Sequence, residues 1–251
     1  DLERRCADER AAVLLFCNPH NPAGRVWRRD ELERVSDICR RHHVRVIADE
    51  IHCELVMPGY EYTPFASLSD ETSAITVTLN SPSKSFNTAG LMQSNVICSD
   101  IEMRRRVDRV INIFEVCEVN PFGPDALVAA YNESEEWLDE LNRYLYDNYL
   151  ELKRFFAEYM PKIEVLKLEG TYLVWVDISA LEFTSDELEA KLRDEGKVYL
   201  NSGTMYGRRA GQGYMRINIA CPRSRMIDGL TRMAKVLAPY MEDDCDLGCP
   251  S

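Results

Sequence analysis

Lys84 is the residue of this sequence whose surroundings most favour covalent chemistry. It lies in the segment Ser81–Ser85, shortly after a predicted strand, with a serine on each side. An amine with a lowered pKa condenses with an aldehyde to form a Schiff base, and neighbouring hydroxyls can bind phosphate. On its own, a lysine among serines usually lies in a surface loop. The segment therefore makes Lys84 only a candidate for a covalent site, and Ser81 and Ser83 candidate phosphate ligands.

A carboxylate and an imidazole follow the preceding predicted strand. Asp49 ends that strand, and His52 lies three residues later. A buried carboxylate is costly without a cationic partner, and a protonated pyridine nitrogen is one such partner. The structural alternatives are a helix cap or turn for the aspartate and a backbone-bonded side chain for the histidine. Asp49 and His52 are therefore candidate ligand-binding residues.

An amide and a guanidinium complete the set of candidates. Asn21 lies in a turn with two Asn-Pro steps directly after the first predicted strand, where its side chain can donate to an anionic oxygen. Arg216 interrupts an apolar strand, and its fork of donors suits a carboxylate. A plain turn and an outward-facing ion pair are the respective alternatives. Tyr62 and Tyr206 are further candidates near the site, or else packing residues.

Taken together, these residues resemble the fold-type I pyridoxal-phosphate enzymes of aminotransferase class I and II. The resemblance lies in their order and spacing: 28 residues from Asn21 to Asp49, 35 from Asp49 to Lys84 and 132 from Lys84 to Arg216. It covers almost the whole chain. The implied fold is α/β, of the aspartate aminotransferase type, with a mostly parallel sheet in a partial large domain and a smaller α+β domain.

The resemblance implies a cofactor and a role for each candidate. The cofactor is pyridoxal 5'-phosphate, which Lys84 binds covalently before moving protons at the substrate Cα. Asp49 keeps the pyridine nitrogen protonated, so that the ring withdraws electrons, and Asn21 donates to its phenolic oxygen. The remaining implied contacts are Ser81 and Ser83 with the phosphate, His52 with the surroundings of the cofactor, and Arg216 with the α-carboxylate of an amino-acid substrate.

Several motifs narrow the resemblance to one branch of the family. Asp-Glu-Ile-His, Lys-Ser-Phe-Asn, Gly-Thr-Tyr-Leu-Val-Trp and Cys-Pro-Arg-Ser together resemble the cystathionine β-lyases, carbon-sulfur lyases related to the maltose-regulon modulator. His52 stands where many aminotransferases have a tyrosine, and Met92 where they have a phosphate-binding arginine. This branch implies β-elimination of cystathionine or a cysteine S-conjugate to pyruvate, ammonia and a thiol.

Three functions are compatible with these residues. A carbon-sulfur β-lyase is the leading interpretation, an aminotransferase shares every candidate residue, and a non-catalytic regulatory protein could keep the fold and the cofactor. Members of the family carry a further N-terminal segment before the Asn-Pro motif. The chain is therefore expected to be a fragment of a longer protein, inactive alone, or a degenerate paralogue. The resemblance also implies a homodimer of the full-length parent.

Composition and charge argue against several other functions. The net charge of -12 disfavours nucleic acid and anionic membranes as partners, because both need a concentrated basic face. The longest apolar run, near residues 11–17, is too short to cross a bilayer, and the first residues lack a signal-peptide pattern. Nine cysteines occur without CxxC pairs or metal-ligand spacing. A cytoplasmic protein without a metal site is expected.

The elements that must position the candidates alternate between strand and helix in the first half. Predicted strands at 12–17, 44–48, 74–79 and 94–98 form an open sheet that binds its ligand beyond the carboxyl ends of the strands. The first strand is expected to be buried on both faces, because it is apolar throughout. A helix at 32–42 joins the first two strands.

The second half predicts a smaller α+β arrangement. A long helix from about Glu133 to Tyr159 precedes predicted strands at 163–168, 172–178, 198–200 and 215–219. Thr184 and Glu187 fit a capping box, and a closing helix covers 224–237. The predicted domains are a portion of the large domain at 1–125, a connecting helix at 126–160, a small domain at 161–241 and a disordered tail at 242–251.

Overall fold

The computed structural model describes residues 1–242. They fall into two compact units, one of residues 1–21, 25–143 and 169–171, the other of residues 22–24, 144–168 and 172 onward. The predicted domain bounds stay predictions, and the predicted disordered tail lies, apart from Glu242, outside the described residues. Within residues 1–242, no helix combines the length and apolar character that crossing a membrane requires.

A four-stranded sheet forms the centre of the first unit, with the strands in the order β1-β2-β3-β4. Strands β1, β2 and β3 pair in parallel, and β4 runs antiparallel to β3. This confirms the predicted α/β class with a mostly parallel sheet. The strands are β1 Val13–Cys17, β2 Arg45–Asp49, β3 Thr76–Asn80 and β4 Asn95–Ile97.

The helices Leu2–Cys6 and Arg29–Arg41 pack against one face of this sheet. The predicted helix between β1 and β2 is confirmed, and its buried Leu32, Val35 and Cys39 share a hydrophobic core with Phe16 and Val46 of the strands. The helices are α1 Leu2–Cys6, α2 Arg29–Arg41, α3 Asp70–Ala74, α4 Pro82–Ser85, α5 Ile101–Ile113, α6 Gly123–Glu133 and the first part of α7 Glu135–Tyr159.

The other face of the sheet is largely open among the described residues. Val13 and Leu15 of β1 are 55% and 67% exposed, so the prediction that this strand is buried on both faces is wrong for residues 1–242. Val13 and Val77 line an open apolar groove with Val107 of α5. An apolar strand sequence predicts that both faces can be buried, whereas actual burial depends on what packs against them.

The second unit is a smaller α+β structure with an antiparallel sheet in the order β5-β6-β8-β7. The predicted strand pair at 163–168 and 172–178 is present, but its paired portions are shorter. Besides the rest of α7, the elements are β5 Glu164–Val165, β6 Leu173–Asp177, α8 Ser185–Gly196, β7 Asn201–Ser202, β8 Tyr214–Asn218 and α9 Arg223–Leu237.

One predicted strand of this unit is displaced along the chain. Residues 198–200 do not form a strand, and pairing with β8 begins instead at Asn201. Lys197 ends α8 in the left-handed region, with φ 52, and the N–H of Val198 donates to the carbonyl of Leu192 at 3.0 Å. This helix-ending turn occupies the first of the residues that were predicted to be a strand.

The predicted long helix from about Glu133 to Tyr159 is confirmed as α7, which begins at Glu135. A separate helix, α6, precedes it, so residues 126–160 hold the end of one helix and the whole of the next. Ser134 lies between them, and its hydroxyl donates to the carbonyl of Ala129 at 3.2 Å. A side chain that bonds to a nearby carbonyl competes with continuation of the helix.

The predicted capping box at the start of α8 is confirmed. The hydroxyl of Thr184 accepts from the backbone N–H of Glu187 at 3.2 Å, and the carboxylate of Glu187 accepts from the N–H of Thr184 at 2.8 Å. Two backbone donors that a helix start leaves without intrahelical partners are thereby bonded.

We expect Thr184→Ala to lower the free energy of unfolding by about 1 kcal/mol, because the cap oxygen is lost. Thr184→Ser is the matched control, since it keeps that oxygen, and its stability should stay within a few tenths of a kcal/mol of the wild type. Chemical denaturation measures both values. An alanine variant as stable as the serine variant would contradict the assigned cap.

Candidate active site

Three candidate residues of the first unit lie where adjacent parallel strands end. Asn21 follows β1, Asp49 ends β2, and α4, which carries Lys84, begins two residues after β3. Cys17, Asp49 and Leu79 are partners across the three strands, so the strands reach the same edge of the sheet. Open α/β sheets bind ligands at this edge. The fold thus brings together residues that are far apart in sequence.

The first asparagine of the Asn-Pro turn, Asn18, is a structural residue that the sequence did not single out. Asn18 is fully buried, and its amide donates to the carbonyl of Thr63 and accepts from the N–H of Trp27, each at 3.1 Å. Its backbone N–H donates to the carbonyl of Asp49 at 3.0 Å. Asn18 therefore fixes the turn that carries the half-buried Asn21.

The two neighbouring acids at the end of β2 have different surroundings. Asp49 is half-buried, and its carboxylate accepts from the N–H of Ile51 at 3.2 Å. Glu50 is 3% exposed and accepts from the hydroxyl of Tyr62 and from the N–H of Phe65. Burial raises the pKa of Glu50. Glu50 and Tyr62 thus hold the loop after β2, while Asp49 lies at the sheet edge.

His52 lies inside this loop. It is 4% exposed, and its carbonyl accepts from the N–H of Leu55 at 2.9 Å. The structure therefore gives His52 a place in the packing of the loop. Its predicted contact with the surroundings of a cofactor stays a prediction.

Ser81 caps the short helix on which the half-buried Lys84 lies. Its hydroxyl accepts from the N–H of Ser83 at 3.1 Å and donates to the carbonyl of Gln93 at 2.6 Å. Ser81 is 3% exposed, whereas Ser83 is half-buried. Both hydrogen-bonding capacities of Ser81 are thus used within the chain, and phosphate binding by Ser81 and Ser83 stays a prediction.

Arg216 lies in β8, one of the two inner strands of the second unit's sheet. Its guanidinium donates to the amide oxygen of Asn201, its partner on β7, at 2.8 Å. The same guanidinium lies 4.8 Å from the ring centroid of Tyr206. Trp175 of β6 packs edge-on against Tyr206, with 5.7 Å between centroids. An amide and an aromatic surface therefore orient the guanidinium, and Asn201 was not predicted.

Comparison with known proteins agrees with this geometry. A sequence model described as aminotransferase class I and II matches residues 1–232. The chain belongs to this family. Among curated members, cystathionine beta-lyase PatB of Bacillus subtilis is 39% identical over 238 residues, which cover 95% of this chain and 61% of that protein. The chain thus spans about three-fifths of the length of the curated relatives that it matches.

Solved structures of the family confirm the aspartate aminotransferase fold. Cystalysin from Treponema denticola, a structure containing pyridoxal 5'-phosphate, matches with a TM-score of 0.92 at 35% identity, over 95% of this chain and 60% of that one. A pyridoxal-phosphate-bound putative aminotransferase from Clostridium difficile matches with a TM-score of 0.91 at 41% identity, over 94% and 60% of the respective chains.

The two asparagines of the turn offer a matched test of their different roles. We expect Asn18→Ala to lower the free energy of unfolding by about 2 kcal/mol, because the part-buried carbonyl of Thr63 and N–H of Trp27 lose their partner. Asn21→Ala should cost less than half of that, since the side chain is only half-buried. Denaturant titration compares the variants. Equal losses would show that Asn18 has no special structural role.

Proposed function

We propose that this chain is part of a pyridoxal-phosphate-dependent carbon-sulfur β-lyase, which cleaves the Cβ–S bond of cystathionine or another cysteine S-conjugate. The observation that carries the proposal is the position of Asn21, Asp49 and Lys84 at the ends of three adjacent parallel strands. The 39% identity to a cystathionine beta-lyase supports this chemistry over others on the same fold. The activity is assigned to the whole protein that carries the chain.

The side chains at this edge fit the proposed cofactor. Lys84 supplies a primary amine for the aldehyde, Asp49 a carboxylate for the pyridinium nitrogen, and Asn21 an amide donor for the phenolic oxygen. Asp49 follows the apolar segment Val46–Ala48 and is half-buried, which strengthens its attraction to a cation. Bound there, pyridoxal phosphate would withdraw electrons from the substrate Cα and acidify its proton.

Lys84 and Arg216 account for the protein's part in the elimination. Arg216 would bind the α-carboxylate through paired N–H donors, and Asn201 and Tyr206 keep its guanidinium oriented. Once the amino group of the substrate has replaced Lys84 at the aldehyde carbon, the freed amine of Lys84 would take the Cα proton. The Cβ–S bond breaks and its electron pair leaves with sulfur as a thiolate, which needs little acid assistance. The unsaturated amine that remains takes up water and gives pyruvate and ammonia.

An aminotransferase is the second candidate, because a putative aminotransferase is among the most similar solved structures. It would use the same residues, and Lys84 would deliver the proton to a different carbon instead of allowing the thiolate to leave. A homodimer and a purely regulatory role stay predictions of the family resemblance, and a cytoplasmic location stays a prediction from the sequence.

The decisive experiment uses the protein with all the sequence that its gene encodes. It is incubated with pyridoxal phosphate, reduced with borohydride and peptide-mapped, while a parallel sample receives L-cystathionine. We expect a covalent pyridoxyl group on Lys84 and release of pyruvate. Lys84→Arg keeps the positive charge but lacks an amine that condenses with the aldehyde, so it should give neither the adduct nor pyruvate.

An adduct on Lys84 with amino-group exchange onto a 2-oxo acid, but without pyruvate release from cystathionine, would support the aminotransferase. An adduct without turnover of any amino acid would support a regulatory role. An adduct on another lysine, or none, would overturn the assignment of the cofactor to this site.

A further inference from the structure

Lys84 lies on a helix that is too short to hold itself in place. α4 has four residues, Pro82–Ser85. The first turn of a helix fixes several backbone dihedrals in exchange for one hydrogen bond, so an isolated turn is unstable. The position of the Lys84 backbone therefore depends on contacts from outside α4. At its start, the cap from Ser81 and the bond to Gln93 provide one anchor.

Glu54 provides the anchor at the other end. Ser85, the residue directly after Lys84, is fully buried, and its hydroxyl donates to the carboxylate of Glu54 at 2.6 Å. A hydrogen bond to an ionised acceptor is roughly twice as strong as a neutral one. Glu54 lies five residues after Asp49, in the loop that leaves β2. The bond thus joins the loop after Asp49 to the turn that carries Lys84.

Residues of α6 and α7 hold Glu54 in turn. The side-chain amide of Asn142 donates to the carbonyl of Glu54 at 2.9 Å. Burial and the nearby carboxylate of Glu54 raise the pKa of Tyr131, so this hydroxyl keeps its proton. The ring of Phe86 lies 5.8 Å from that of Tyr131 and stacks 5.9 Å from that of Trp137. These contacts fix both partners of the Glu54–Ser85 bond.

We propose that Glu54 is a positioning residue, which acts through Ser85 to hold the amine of Lys84 relative to Asp49. The proposal rests on the proposed function, because it assigns Glu54 a part in the capture of the cofactor by Lys84. Glu54 touches neither the cofactor nor the substrate in this account. Without its carboxylate, α4 loses one of its two anchors and the amine is less well placed to meet the aldehyde.

The test measures the rate constant for covalent capture of pyridoxal phosphate, by borohydride quenching at timed intervals and mass spectrometry of the Lys84 peptide. We expect Glu54→Ala and Ser85→Ala each to lower this constant about ten-fold, the equivalent of about 1.4 kcal/mol. The double variant should be no slower than Glu54→Ala alone, because both changes remove the same bond. Glu54→Gln keeps an acceptor oxygen and should recover most of the rate.

Two controls separate positioning from a general loss of stability. Glu61→Ala removes an exposed glutamate of the same loop and should capture within two-fold of the wild type. The second control is a pH titration followed by the absorbance of the bound cofactor. Its midpoint pH should differ from the wild-type value by the same amount in Glu54→Ala and Ser85→Ala. If Glu54 only stabilised the fold, the folded fraction of each variant would keep the wild-type midpoint.

The outcomes distinguish this proposal from the function on which it rests. If the wild type forms no adduct on Lys84, the proposed function fails. If the wild type forms it and both single variants capture it within two-fold of the wild-type rate, only the positioning role is overturned. Losses that add in the double variant would also overturn it, because they would mean that Glu54 and Ser85 act separately.

Discussion

The parallel pairing of β1, β2 and β3 is the constraint on which the rest of the site depends. Asn21, Asp49 and Lys84 are separated by 28 and 35 residues, and only strands that run the same way, in register, bring their ends to one edge. Residues alternate between the two faces of a strand, so a shift of one residue in register would exchange the faces. The buried core on one face of the sheet opposes such a shift.

Around this edge, residues close in sequence have different roles, one structural and the other a candidate for ligand binding. Asn18 and Glu50 are buried and hydrogen-bonded within the chain, whereas Asn21 and Asp49 are half-buried where the strands end. Asn18 and Glu50 fix the local backbone. Asn21 and Asp49 can then meet a ligand without a loop having to become ordered on binding. Such preorganisation reduces the entropic cost of binding.

The sequence singled out candidate ligand-binding residues but not the residues that support them. Asn21, Asp49 and Lys84 lie in short motifs directly after recognisable strands, and the capping box of α8 is equally local. Glu54 and Ser85 are 31 residues apart, and no spacing rule joins them. The strand predicted at 198–200 was displaced by a helix-ending turn, and the exposed face of β1 depends on packing rather than on its own apolar residues.

A crystal structure determined with pyridoxal phosphate would show whether the ends of the three parallel strands hold the cofactor. We expect continuous density from the amine of Lys84 to the cofactor, with the carboxylate of Asp49 within hydrogen-bonding distance of the ring nitrogen and the amide of Asn21 beside the phenolic oxygen. A cofactor held by another lysine, or one whose ring nitrogen lies away from Asp49, would contradict it.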